Sequence, residues 1–171
     1  MNMAYRNKTY VSFDADTDMR YYRLMQAWKD NRNINFNFYN VHDINPNPRL
    51  ISEVTIKRQL RERFANTKYF VLLVGAQTRY LYRYVRWEIE QALNFDLPII
   101  VVNLNNKKEI DEKLCPPIIK NELAIHISFK AAIIKYALDN WSMEHKEKRR
   151  DGKSDAYYYP GKIYKHLGIE S

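Results

Sequence analysis

Glu88 is the residue in this 171-residue chain whose type and placement best suit chemistry. It follows an apolar run, Tyr69-Phe70-Val71-Leu72-Leu73-Val74, a stop at Gly75, and a polar loop over 76–82. It falls in the early turns of a helix whose Val85, Ile89, Ala92 and Leu93 share one stripe, at the margin of that stripe. The amino-terminal end of a helix favours an ionised acid. A carboxylate held there can accept hydrogen bonds and stabilise positive charge in a ligand. Other candidates stand at the ends of neighbouring elements. They are Ser12, Phe13 and Asp14 after a first short strand, Asp43 in a proline-bearing loop, Gln77 and Thr78 after the 69–74 strand, and Tyr84 at the helix entrance.

Each candidate has a plainer reading. Glu88 could pair with Arg83 or Arg86 on a solvated helix face. Phe13 fits a core as well as a ligand shelf, and Asp14 and Asp16 fit caps as well as ligands. Asp43 fits an Asx turn as well as a ligand contact. Tyr84 and Trp87 line either a pocket or an assembly surface. Several chemistries are excluded by spacing. His42 has no Cys or second His at zinc spacing. No acid cluster has calcium spacing. Ser12 lacks a GxSxG context. With four glycines, neither GxGxxG nor GxxxxGK[ST] occurs.

The elements that must position these residues alternate along the chain. Residues 8–13 read as a strand, and Thr17 or Asp16 as the cap of a helix to about residue 31. Residues 33–41 alternate apolar with polar and predict a half-exposed edge strand. The 42–49 loop, HDINPNPR, excludes regular structure. Ser52 caps a helix to about residue 64. The 69–74 strand and a helix over about 84–96 follow. Ile99-Ile100-Val101-Val102 is a second fully apolar strand, with a short helix expected at 109–114. A weaker strand lies at 123–127, and Ser128 is the expected cap of a last helix. Five strands alternating with helices predict an α/β, flavodoxin-like three-layer sandwich with a parallel sheet in the order 2-1-3-4-5. Ligands bind such folds at the carboxyl ends of the strands, where the order reverses. That selects the ends of the first and third strands, and Glu88 with them.

Composition sets the class. A hydrophobic fraction of 46% beside 28% charged residues is that of a globular protein. No apolar run approaches the roughly 18–20 residues of a membrane span, and the first residues lack a signal-peptide core. The single cysteine, Cys115, excludes an internal disulfide. A cytoplasmic protein without membrane contact is expected. The net charge of +8 is spread over helix faces, with one cluster at 146–153, and no recognition motif accompanies it. Nucleic acid is therefore not the expected partner. A domain over 1–143 is expected, followed by a basic and aromatic extension over 144–171.

The stretches YVSFDADTD, VLLVGAQT, YVRWEIEQAL and LPIIVVNLN together resemble a TIR domain. They resemble more closely the TIR-like group of bacterial antiphage signalling, such as the TIR-like subunit of the Thoeris system. The resemblance covers about residues 8–141, and its most specific block is 71–104. It implies the flavodoxin-like fold and makes the 42–49 loop the counterpart of the family's BB loop. It also implies cleavage of NAD between nicotinamide and ribose, giving ADP-ribose or a cyclic ADP-ribose-type signal. Glu88, in the context Arg86-Trp87-Glu88-Ile89, takes the family's catalytic position. Ser12, Phe13, Asp14, Asp43, Gln77, Thr78 and Tyr84 would then border the NAD substrate. No permanent cofactor is implied. A homo-oligomer and a downstream effector sensing the product are the implied partners. Two alternatives stay open. One is a TIR-like interaction module without turnover. The other is an enzyme like the nucleoside deoxyribosyltransferases, which also place a glutamate on such a sheet.

Overall fold

The computed structural model describes residues 9–31, 52–82 and 84–169. Among them a five-stranded sheet runs β1 (Thr9–Ser12), β2 (Tyr69–Val74), β3 (Ile99–Asn103), β4 (Ala124–Ser128) and β5 (Ala156–Tyr158), in that spatial order. Every pair of neighbours is parallel. Six helices accompany the described strands: α1 (Ala15–Asp30), α2 (Glu53–Ala65), α3 (Val85–Asn94), α4 (Ala131–Arg150), α5 (Gly161–His166), and a short 3-10 turn at Thr78–Tyr80.

The apolar runs are explained by burial on both faces. Along β2, Tyr69, Val71 and Leu73 enter one core with Tyr22 and Met25 of α1 and Ile133, Ala137 and Trp141 of α4. Phe70, Leu72 and Val74 enter the other, with Leu60 and Phe64 of α2 and Val85, Ile89 and Ala92 of α3. The result is three layers, α1 and α4 on one side of the sheet and α2 and α3 on the other. This is an α/β, flavodoxin-like arrangement. The expected edge strand at 33–41 and the 42–49 loop lie outside the described residues.

Several boundaries differ from expectation, each for a local reason. The cap of α1 is Asp14, in keeping with its plainer reading as a cap, rather than Asp16 or Thr17. Its carboxylate accepts the Asp16 N–H at 3.2 Å and the Thr17 hydroxyl at 3.0 Å. Ser52 does cap α2, accepting the Thr55 N–H. Residues 109–114 form a turn rather than a helix. Asp111 accepts the N–H groups of Lys113 and Leu114 and the amide of Asn105, which offers the backbone an alternative to helical bonds. Ser128 closes β4 instead of capping α4, whose cap position is held by Lys130.

The largest difference is at the carboxyl-terminal end. α4 continues through 144–150 without a break. The chain then returns to the sheet as β5, pairing Ala156, Tyr157 and Tyr158 with Ala124, Ile125 and His126. α5 follows and buries Tyr164 completely. The Ser128 N–H donates to the Tyr164 phenol oxygen at 3.2 Å, a bond that the three-residue β5 is too short to supply. Residues 144–169 are thus part of the sheet and its packing. The helix boundary was hidden because the outer face of α4 is charged, as a solvated face should be.

Candidate active site

Glu88 is set in place by two elements. α3 begins at Val85 with Tyr84 at its cap position, and the Tyr84 carbonyl accepts the Glu88 N–H at 2.8 Å. This puts Glu88 in the first turn, over β1. On β1, Tyr10 and Ser12 are two residues apart and point to the same face. The Ser12 hydroxyl donates to Glu88 Oε1 at 3.1 Å, and the Tyr10 phenol donates to Oε2. Tyr10 is itself held by stacking on Phe64, with ring centroids 4.3 Å apart.

Glu88 is only 3% exposed. Two effects oppose each other there. Burial raises the carboxyl pKa, and the hydrogen bonds from Tyr10 and Ser12 lower it. Burial prevails and pushes the group up from 4.5 to about 7. The helix terminus, expected to keep the acid ionised, does not outweigh desolvation. The Tyr10 phenol is pushed well above its usual range by burial and then by Glu88, so it remains a donor. A carboxylate offers about four acceptor positions. Ser12 and Tyr10 account for one on each oxygen, which leaves acceptor capacity for a ligand's hydroxyl groups.

The other candidates are placed as follows. Phe13 faces the opposite side of the sheet, buried and stacked on Tyr22 at 4.8 Å. Asp14 caps α1. Thr78 is buried, and its hydroxyl accepts the Gly75 N–H at 2.9 Å while donating to the Leu73 carbonyl at 3.3 Å. It closes the turn after β2. Gln77 and Tyr84 are half-buried. Asp43 lies outside the described residues. The structure therefore joins Glu88 to Ser12 and adds Tyr10, which sequence reasoning passed over. The available signal was its spacing of two from Ser12.

A second acid was also missed. Asp18, in the first turn of α1, is 5% exposed and packs against Gly75 at the end of β2. Burial raises its pKa, and the neighbouring charge of Asp14 adds to this. A Cβ at Gly75 would stand 2.5 Å from Asp18 Oδ2 and 2.9 Å from its Cγ. Gly75 is thus required by close approach rather than by its backbone angles. Gly75→Ala is expected to destabilise the fold by about 1–3 kcal/mol. In an Asp18→Ala background the same change should cost little. Urea unfolding of the two single variants and the double variant measures this coupling.

Two cavities open elsewhere on the described residues. One of about 250 Å³ lies between α4 and β5. One of about 410 Å³ is walled by Arg79, Tyr80, Lys113 and Cys115, among others. Glu88 walls neither. Among the described residues no group of three or more acids, histidines or cysteines is arranged to hold a metal ion. Among them, too, no helix is long and apolar enough to cross a membrane.

Residues 10–109 match the family model described as Thoeris protein ThsB, TIR-like domain. The chain belongs to this family. No curated protein matches it. The matched part of the TIR-like domain holds β1 from Tyr10 on, β2, α3 and β3, and with them Ser12 and Glu88. β4, α4, β5 and α5 lie beyond the match. Membership makes this a TIR-like protein of antiphage signalling.

Proposed function

We propose that this TIR-like protein signals by cleaving NAD at the bond between nicotinamide and ribose, with Glu88 as the catalytic acid side chain. The observation that carries the reading is the arrangement of Glu88. It is a carboxyl in the first turn of α3, pinned by Ser12 and Tyr10, with its pKa raised to about 7. A surface acid serving only solubility would have neither the burial nor the partners.

Nicotinamide is a good leaving group, and its departure puts positive charge on the ribose ring. The Glu88 carboxylate stabilises that charge and accepts ribose hydroxyl hydrogen bonds, as glycosidase carboxylates do. The positive charge of the nicotinamide ribosyl group itself favours the ionised acid on binding. Ser12 and Tyr10 are positioning residues. Their hydrogen bonds hold the carboxylate in one orientation and favour its ionised form. Attack by water gives ADP-ribose, and attack by the adenine end gives a cyclic product. Self-association and an effector that senses the product complete the proposed signalling role.

The test is release of nicotinamide from NAD by the full chain, followed across about pH 5 to 9. The reaction needs the carboxylate, so turnover should rise with pH through about 7. Tyr10→Phe removes a bond that favours the charged form, so its profile should move to higher pH. A wild-type profile that is flat through this range would assign the chemistry to another group.

The interaction-module reading has its own support in the 3% exposure of Glu88. It predicts self-association with no nicotinamide release at any pH. Exchange of bases on deoxynucleosides would instead identify a deoxyribosyltransferase-like activity.

A further inference from the structure

The 410 Å³ cavity lies between the Thr78–Tyr80 turn that follows β2 and the 112–120 segment that joins β3 to β4. One wall falls within the family match and the other beyond it. Its charges are uneven in sign. Arg79, Lys113 and Lys120 line it together with Glu112. Lys120 is answered within the protein. Its ammonium donates to the Glu112 carbonyl oxygen at 2.5 Å and stands 3.9 Å from the Glu112 carboxylate. Arg79 and Lys113 are both exposed, and among the described residues neither is in an ion pair. Asp111, close before Lys113 in the chain, spends its oxygens on Asn105 and on the N–H groups of Lys113 and Leu114.

Arg79 is also held ready. Its Nη1 donates to the Lys113 carbonyl oxygen at 3.4 Å and its Nη2 to the Tyr80 hydroxyl at 2.8 Å, with the guanidinium carbon 4.8 Å from the centre of the Tyr80 ring. These contacts fix the guanidinium across both walls and leave most of its N–H donors unspent. A planar fork fixed in this way matches the oxygens of a phosphate, and an ammonium lining the same hollow adds a point charge. A phosphate monoester carries about two negative charges near neutral pH, which Arg79 and Lys113 would balance. The volume leaves room for more than a bare ion, since small-molecule pockets run to about 300–1,000 Å³. The half-exposed Tyr80 ring and the exposed Pro117 offer apolar surface to the carbon part of an ester. Cys115 adds no negative charge, because burial pushes its thiol up to about 12.

We propose that the hollow between the Thr78–Tyr80 turn and the 112–120 segment binds a small phosphate monoester, with the Arg79 guanidinium and the Lys113 ammonium as the partners of the phosphate. Glu88 does not wall this hollow, and the proposal does not depend on NAD cleavage. A ligand there would join the turn that leads into α3 to the segment that leads into β4.

The test is calorimetric titration of the full chain with ribose 5-phosphate, ribose, inorganic phosphate and sulfate, at low ionic strength because exposed charges are screened by salt. Ribose 5-phosphate should bind, ribose should give no heat, and the two inorganic anions should bind more weakly. Arg79→Gln and Lys113→Gln should each weaken ribose 5-phosphate by about tenfold, the loss of one charge-assisted contact. Lys165→Gln removes the same charge from an exposed position on α5 and should leave binding unchanged. Both site residues are exposed, so the variants should melt at the wild-type temperature, and melting curves check this. No heat with ribose 5-phosphate at millimolar concentration would overturn the proposal. So would inorganic phosphate or sulfate binding as tightly as the ester, which describes a site for adventitious anions. Site variants that weaken binding no more than Lys165→Gln does would also overturn it, because the attraction would then be to net charge alone.

Discussion

Glu88→Gln is expected to raise the stability of the folded chain at about pH 8 by about 3 kcal/mol, while lowering NAD turnover by about 10²–10³-fold. The stability effect follows from the carboxyl's raised pKa, about 7 against an ordinary 4.5. The folded chain holds this proton more tightly than the unfolded chain does. The resulting stabilisation is complete below pH 4.5 and is lost as pH rises through about 7. Above that, the fold contains a buried carboxylate that the unfolded chain would solvate. At about 1.4 kcal/mol per tenfold, the gap amounts to about 3 kcal/mol. Gln has nearly the same shape and no charge to desolvate. Its carbonyl oxygen accepts from one of the two hydroxyls, and its amide donates to the other once that hydroxyl turns.

Urea unfolding at about pH 5 and about pH 8 reads the effect directly. The variant's advantage should be small at the lower pH and large at the higher. Equal differences at both would mean that this acid does not titrate between them. Glu88→Ala should act oppositely, because it leaves the Tyr10 and Ser12 hydroxyls without an acceptor in a buried site. A residue that weakens the fold in this way is typical of a site kept for function.

Tyr164→Ala is expected to cost about 3–5 kcal/mol, a large share of the 5–15 kcal/mol that holds a domain together. Tyr164 is completely buried in the core shared by α1, α4 and α5. Its phenol oxygen also accepts the Ser128 N–H at the end of β4. Tyr164→Phe keeps the ring and orphans that donor, and should cost about 1–3 kcal/mol. A chain ending after Arg150 loses α5 and β5 together and leaves the edge of β4 unpaired, so it should aggregate rather than fold. Denaturant midpoints for the two variants and the soluble yield of the truncated chain check this. If the truncated chain folds normally, residues 151–169 are an appendage after all.

Much of the scaffold was legible from residue order. The bounds of β2 and the start of β3 follow from apolar runs, because a strand buried on both faces has no polar positions to blur it. Ser52 was legible as a cap because capping is a contact over three residues. Glu88 in the first turn of a helix after a central strand followed from the same local patterns, and the TIR-like family from the residues around it.

What the sequence did not carry were the contacts between distant segments. Hydrophobic period reports that a side chain is buried, not what it meets. Tyr10 and Ser12 reach Glu88 across 78 and 76 positions. Only their packing removes water from the carboxyl and lifts its pKa. Phe13 lies opposite Ser12 by strand alternation, but only the packing of the helices decided that its face is the core with α1 and the other face the one under Glu88. β5 is three residues long, too short for a period to show, and it exists because β4 offers an edge and Tyr164 a core to fill. Sequence alone determined the central strands, the helices beside them and the place of Glu88 in the first turn of α3. Tertiary structure decided how that acid ionises and that the last residues belong to the sheet, because desolvation and strand pairing are properties of segments brought together from far apart in the chain.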